Sequence, residues 1–420
     1  MVSMARRSGL LCLALFAFPL LLAAEEDPFP GATFLDREAL LAAVAGRNPD
    51  LAAARLAWQA TRERAPQESA LADPAIRYEI APLSLGAGAV PFGQALEVRQ
   101  AFPWPGVRQA RGAAATFEAE AALQDSQELL LALRAEASRL FDDWYLVHRA
   151  LEVNERHRAL LLTFREAATA RYAAGLAGQQ EPLQAEVETA GLLQDREDLE
   201  AERAVIRARL NALLHRPPEL SLPPPPDRLP EPLSLEGDVA ALQEAAVTSR
   251  PELAGLDARI RTREAARDLA LLARRPEIDV MGSYNSMWTD PEHRFMAGVA
   301  VGLPIRRAKI TAARTEAETR LAEARTARES AEMRIRAEVQ EAAERYAASV
   351  RRLASLRAHL LPATHDLLRA ARTGFETGGS LLALIEAERS LRDAELREHE
   401  VLAECWRRRA ALDRVQGGLP

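Results

Sequence analysis

The chain has 420 residues, 48% hydrophobic but only 5% aromatic, with 27% charged and a formal net charge of −7. Alanine, leucine, arginine and glutamate dominate, which is the composition of long helices and coiled coils rather than of a compact mixed domain. The acidic balance gives no nucleic-acid footprint, although 54 residues are basic; Lys309 is the one lysine among them.

In chain order, residues 1–24 read as an export signal. Arg6 and Arg7 precede the apolar stretch GLLCLALFAFPLLLAA, which is short for a membrane span. Cleavage is expected after Ala23 or Ala24. Cys12 would leave with the signal, so Cys405 would have no intrachain disulfide partner. Beyond the signal there is no apolar run of helix-spanning length, so any membrane segment must be β.

A helix is predicted over 48–72, opened by Pro49 in its first turn. Two alternating segments follow, 74–82 (PAIRYEIAP) and 93–101 (GQALEVRQA). A very long helix then covers 107–173, with a seam at Leu130, Leu133, Ala137, Leu140, Trp144, Val147 and Leu151, spaced alternately three and four. Gly175 and Gly178 interrupt it, and a further helix runs from about 179 to 215. The stretch RPPELSLPPPPDRLPEPL, from Arg216, is too rich in proline for helix or central strand and reads as an extended linker.

The same series then repeats. NPDLAAARLAWQATRERAPQESALADPAI, from Asn48, aligns without a gap on RPELAGLDARIRTREAARDLALLARRPEI, from Arg250, at an offset of 202. Helix 250–274, alternating segments 276–285 and 294–303, a second long helix with a seam at Ile335, Val339, Ala342, Tyr346 and Leu353, a break at Gly378 and a last helix follow in order. Tyr346 takes the Trp144 slot. The expected organisation is a signal at 1–24, one repeat at 25–215, a linker at 216–235 and a second repeat at 236–420. At 1.5 Å per residue each long helix spans roughly 100 Å.

The alternating segments put Ile76, Tyr78 and Ile80 on one face, with Arg77 and Glu79 on the other. Leu96 and Val98 oppose Glu97 and Arg99; Ile278, Val280 and Tyr284 oppose Glu277 and Asp279; Phe295, Ala297, Val299, Val301 and Leu303 form a fourth apolar face. A sheet half-buried against the helices would give this pattern. So would strands crossing an outer membrane, each about nine residues long. Four strands cannot close a barrel, so the membrane reading needs several chains.

In this order, and twice over, these features make the chain similar to the TolC-type outer membrane efflux proteins (outer membrane factors). The carrying motifs are the ADPAIRYEI entry, the FPWPGVR exit from Phe102 and the glycine breaks. The FPWPG style is most like members paired with heavy-metal pumps of the resistance-nodulation-division class. The resemblance implies a mainly α, internally duplicated fold with a small β part. In it, three chains each give four strands to one twelve-stranded β-barrel in the outer membrane lipid, and long coiled-coil helices to a periplasmic α-barrel. It implies a homotrimeric exit duct working with a periplasmic adaptor and an inner-membrane pump, not an enzyme. Other readings are a duct for drugs or for a secreted polypeptide, and a periplasmic coiled-coil scaffold without a pore.

By the same resemblance, Gly175, Gly178, Gly378, Gly379 and Ser380 mark hairpin tips that dock the adaptor; ordinary helix turns are the plainer reading. Glu181 and Glu386 align with acids of the entrance, with Ala383 where a neighbouring acid is expected. Phe375 replaces a gating tyrosine and, lacking a hydroxyl, cannot form its hydrogen bond. Leu382 is a further candidate for narrowing the entrance. Glu181 and Glu386 also fit solvated helix-start carboxylates favoured by the helix dipole. His148, His157, His215, His293, His359, His365 and His399 have no metal-binding spacing, and no phosphate loop or catalytic set is found. No cofactor or metal ligand is expected.

Overall fold

The computed structural model describes residues 28–86, 92–235 and 238–418, so the expected signal at 1–24 lies outside the described residues. Helix α1 (Arg37–Arg47) opens on Asp36, whose carboxylate accepts the Ala39 N–H at 2.9 Å. It was absent from the sequence expectation, as was its counterpart α6 (Val239–Ser249), which opens on Asp238 in the same way. Next come α2 (Pro49–Arg62) and α3 (Arg64–Ser69), which correct the single helix expected over 48–72. Pro66 has no N–H to return to the Arg62 carbonyl, and the helix breaks at Glu63. The equivalent residue of the second series is Asp268, and α7 (Pro251–Leu272) is unbroken.

Strands β1 (Ala75–Ala81), β2 (Gly93–Phe102), β3 (Glu277–Asn285) and β4 (Phe295–Gly302) form one antiparallel sheet in the order β1-β2-β3-β4. Its register aligns Tyr78, Leu96, Tyr284 and Phe295 across all four strands, and Val280 with Val299. Residues directly opposite one another share a face. One face is therefore almost wholly apolar, and the other carries Arg77, Glu79, Glu97, Arg99 and Asp279. The apolar face lies open: Ile76 is 70% exposed, Val299 64% and Phe295 76%. The sheet is thus not packed on the helices, and among the described residues β1 and β4 each keep one edge without a strand partner.

Helix α4 (Val107–Ala173) is continuous for 67 residues. Helices α2, α3 and α7 flank it towards the sheet; α5 (Gln180–Leu213) and α10 (Leu381–Val415) flank it beyond. The second long helix is not continuous. It consists of α8 (Arg307–Ser355), a π-turn over Leu356–Leu360, and α9 (Leu361–Glu376). Pro362 is the cause: it has no N–H to donate to the preceding turn, and the ladder slips by one residue. Position 160, its counterpart in α4, is leucine.

The buried stripe of α4 is wider than a heptad seam. Ala137, Leu140, Phe141, Trp144, Tyr145 and Val147 are buried, whereas Leu130, Leu133 and Leu151 are only half-buried. Residues 216–235 contain no helix or strand, yet they are no loose tether. Trp144 Nε1 donates to the Pro223 carbonyl at 3.0 Å, Trp406 Nε1 to Pro230 at 3.0 Å and the Tyr346 hydroxyl to Leu233 at 2.5 Å. Leu229 is buried in the core beneath. The segment is a strap fastened across the helices. Among the described residues no helix is long and apolar enough to cross a membrane.

Candidate functional site

The two helical hairpins end side by side. At the first, Gly175 has φ +70°, and the Leu176 N–H donates back to the Arg171 carbonyl at 2.9 Å. At the second, Gly378 has φ +103°, and the Gly379 N–H donates to Gly374 at 2.8 Å. These left-handed residues close the helix ends as glycine C-caps do. A Cβ on Gly379 would meet the Gly374 carbonyl oxygen at 2.7 Å, so glycine is required there for space. Ser380 caps α10, its hydroxyl accepting the Leu382 N–H at 3.2 Å. Gly178 lies in the first turn of chain after Gly175, and its carbonyl accepts the Glu181 N–H at 3.2 Å.

Arg171, which sequence reasoning missed, binds the tips together. From the last turn of α4 its guanidinium donates to the Phe375 carbonyl at 3.0 Å, to Gly379 at 3.2 Å and to Gly378 at 3.5 Å. It also lies 4.5 Å from the centre of the Phe375 ring. A cation here meets the negative end of α9 and the π face at once. Phe375 is thus held by its ring and its backbone carbonyl.

Glu386 and Leu382 lie together on α10. They line a groove of about 330 Å³ with Leu183, Val187 and Glu188 of α5. Arg389 and Glu188 form an ion pair across it. Glu181 is not in that groove: it sits in the first turn of α5, half-buried, with Oε2 shut from solvent and without a hydrogen-bond partner among the described residues. Glu181 therefore lies outside the groove that Glu386 lines, and Phe375 sits under Arg171.

Farther from the tips, a buried imidazole joins α4 to α10. His157 Nδ1 is 2.5 Å from Glu388 Oε1, and Nε2 is 3.2 Å from Glu395 Oε2; His157 is 3% exposed and Glu388 1%. Burial pushes the His157 pKa down, but the hydrogen bonds and charges of Glu388 and Glu395 outweigh it, and the net shift is upward. Arg156 pairs with Glu395 at 2.6 Å on the same junction. The sequence carried no signal for this set, because its members are more than 200 positions apart. Among the described residues no group of acids, histidines and cysteines has the geometry of a metal site.

The family model described as outer membrane efflux protein matches residues 242–418. No curated protein matches the chain in sequence. Solved structures share its fold. The outer-membrane channel OprN is 19% identical with TM-score 0.78, over 93% of this chain and 94% of that one. CusC, described for its transmembrane channel formation, is 17% identical with TM-score 0.79, over 92% and 94%. The open state of the MtrE outer membrane channel of Neisseria gonorrhoeae is 20% identical with TM-score 0.73, over 91% and 89%. The chain therefore has the fold of these outer-membrane channels, and its C-terminal part carries the sequence pattern of outer membrane efflux proteins.

Proposed function

We propose that this chain is one subunit of a trimeric outer-membrane efflux duct, exported by a signal cleaved near residue 24. The observation that carries this reading is the sheet. It has one apolar, exposed face and two open edges, and it is mounted on helices of roughly 100 Å. Lipid tolerates such a sheet only when its edges are paired, and three copies can pair them by closing a ring. The repeats at 25–215 and 236–420 then each supply two strands and one hairpin, joined by the strap at 216–235.

In this reading the apolar face meets lipid and the charged face lines a passive water-filled path. The tips at Gly175, Gly178, Gly378, Gly379 and Ser380 meet a periplasmic adaptor coupled to an inner-membrane pump of the resistance-nodulation-division type. Glu181, Glu386, Phe375 and Leu382 surround the periplasmic entrance, with Arg171 fixing the tip that carries Phe375. Heavy-metal cations are the proposed cargo, on the FPWPG pattern at Phe102; drugs and polypeptides are the competing cargoes. A duct needs no tight metal site, since tight binding would slow passage. A pore-free scaffold would leave the apolar sheet face without a role.

The test is twofold. Outer-membrane fractions should contain a trimer band that collapses to monomer on heating, and a deletion strain should become sensitive to metal salts. Absence of the trimer would remove the duct; unchanged metal tolerance with new drug sensitivity would reassign the cargo.

A further inference from the structure

We propose that the outer face of α5 seats on the outer face of α8 and its π-turn in the next copy of this chain. In that seam Glu186 meets His359 and Glu197 meets Arg351. The proposal rests on the trimer of the preceding reading and names the helix faces and the register that close it.

At the offset of 202, α4 corresponds to α8 and α10 corresponds to α5. Within the chain α10 packs on α4, on α8 and on α9, while α5 packs on α4. The counterpart of the α4–α10 junction is therefore a junction of α8 with α5, and the faces that would make it are exposed. On α5, Glu186, Ala190, Leu193, Glu197 and Ala201 form an exposed stripe at steps of three and four. On α8 and the π-turn, Arg351, Ser355, Ala358 and His359 are exposed.

The contacts of the inner junction give the register. His157 binds Glu388 at 2.5 Å, and their counterparts are His359 and Glu186. Arg149 and His399 lie 5.7 and 6.0 Å from the centre of the Tyr145 ring. Their counterparts are Arg351 and Glu197, and Ala347 leaves free the space that the ring fills. Arg156 and Glu395 become Ala358 and Leu193, an apolar pair in which Leu193 is 45% exposed. Asp143 and Arg407 become Arg345 and Val205, and Arg345 keeps Glu341 of its own helix. Glu186, Glu197, Arg351 and His359 have no ion pair among the described residues. Their charges are opposite across the seam, and the small residues between them let the helices approach. Two different faces of one chain make a heterologous contact, which forms a ring when the rotation closes.

The experiment uses the full chain in outer-membrane fractions. Glu197→Cys and Arg351→Cys in one chain, treated with a short bis-maleimide, should give covalent dimer and trimer that survive heating. Either single variant should fall to monomer, since Cys405 is buried. Leu193→Cys with Ala358→Cys keeps all four charges and provides the same readout should the first pair not assemble. Glu186→Cys with Arg351→Cys, displaced by roughly 16 Å along α5, should not crosslink. Glu186→Arg should lower the temperature at which the trimer dissociates, and adding His359→Glu should restore it. A heat-stable trimer that crosslinks at neither predicted pair would overturn the seam and leave the duct standing. Absence of a wild-type trimer would remove both.

Discussion

Trp144 and Tyr346 occupy equivalent places in the two long helices, and each donates a hydrogen bond to a carbonyl of the same proline-rich strap, at Pro223 and Leu233. The duplicated helices thus hold the segment that joins them. Tyr346→Phe keeps its ring and removes only the donor, at a cost of about 1 kcal/mol, whereas Trp144→Phe also shrinks a buried ring and should cost more through the cavity it leaves. Thermal unfolding should show nearly additive losses, and limited proteolysis should begin in 216–235 of the double variant. A strap as resistant as in the wild type would mean that packing alone fastens it.

Arg171 should govern the entrance. Arg171→Ala removes the hydrogen bonds to the carbonyls of Phe375, Gly378 and Gly379 and the contact with the Phe375 ring. Planar-bilayer recordings should show larger or more frequent openings, with the trimer intact. Arg171→Lys should restore the closed state only in part, since an ammonium cannot span three acceptors as a planar fork does. Conductance unchanged in Arg171→Ala would detach the clamp from gating.

His157 gives a pH dependence of definite sign. Its folded pKa lies above the unfolded value, so its contribution to stability is complete below about pH 6.5 and is lost as pH rises through the raised value. The protection factors of amides in α10 near Glu388 should therefore fall as pH rises through that raised value. His157→Gln should flatten that dependence. A profile identical in the variant would assign the effect to other groups.

Glu181 and Glu386 are tested as rings. If both face the pore, threefold symmetry multiplies each charge, and a trivalent cation added on the periplasmic side should block conduction. Glu386→Gln should weaken the block and the added Glu181→Gln should weaken it further. A double variant blocked like the wild type would leave the two acids as helix-start residues.

The strands were legible because their alternation matches the observed register: Tyr78, Leu96, Tyr284 and Phe295 fall on one face both in pattern and in space. The offset of 202 made the helices legible in duplicate. Pro66 and Pro362 were visible but were not weighed as breaks, and α1 and α6 are short enough to pass as loop until Asp36 and Asp238 are seen as caps. The strap and the Arg171 clamp were out of reach. Their donors end on backbone carbonyls 79 and 204 or more positions away, and a carbonyl carries no residue signature.

A sheet that lies in lipid with Val299 outward should be intolerant of charge on that face alone. Val299→Arg places a charge on the apolar face, at roughly 2–4 kcal/mol per chain if it reaches the bilayer midplane. Ala300→Arg places the same charge on the opposite face, beside Asp279. Heat-modifiable trimer should be quantified in outer-membrane fractions of both variants. A sharp loss is expected for Val299→Arg and near wild-type assembly for Ala300→Arg. Wild-type amounts of trimer in Val299→Arg would contradict the placement of the sheet in lipid.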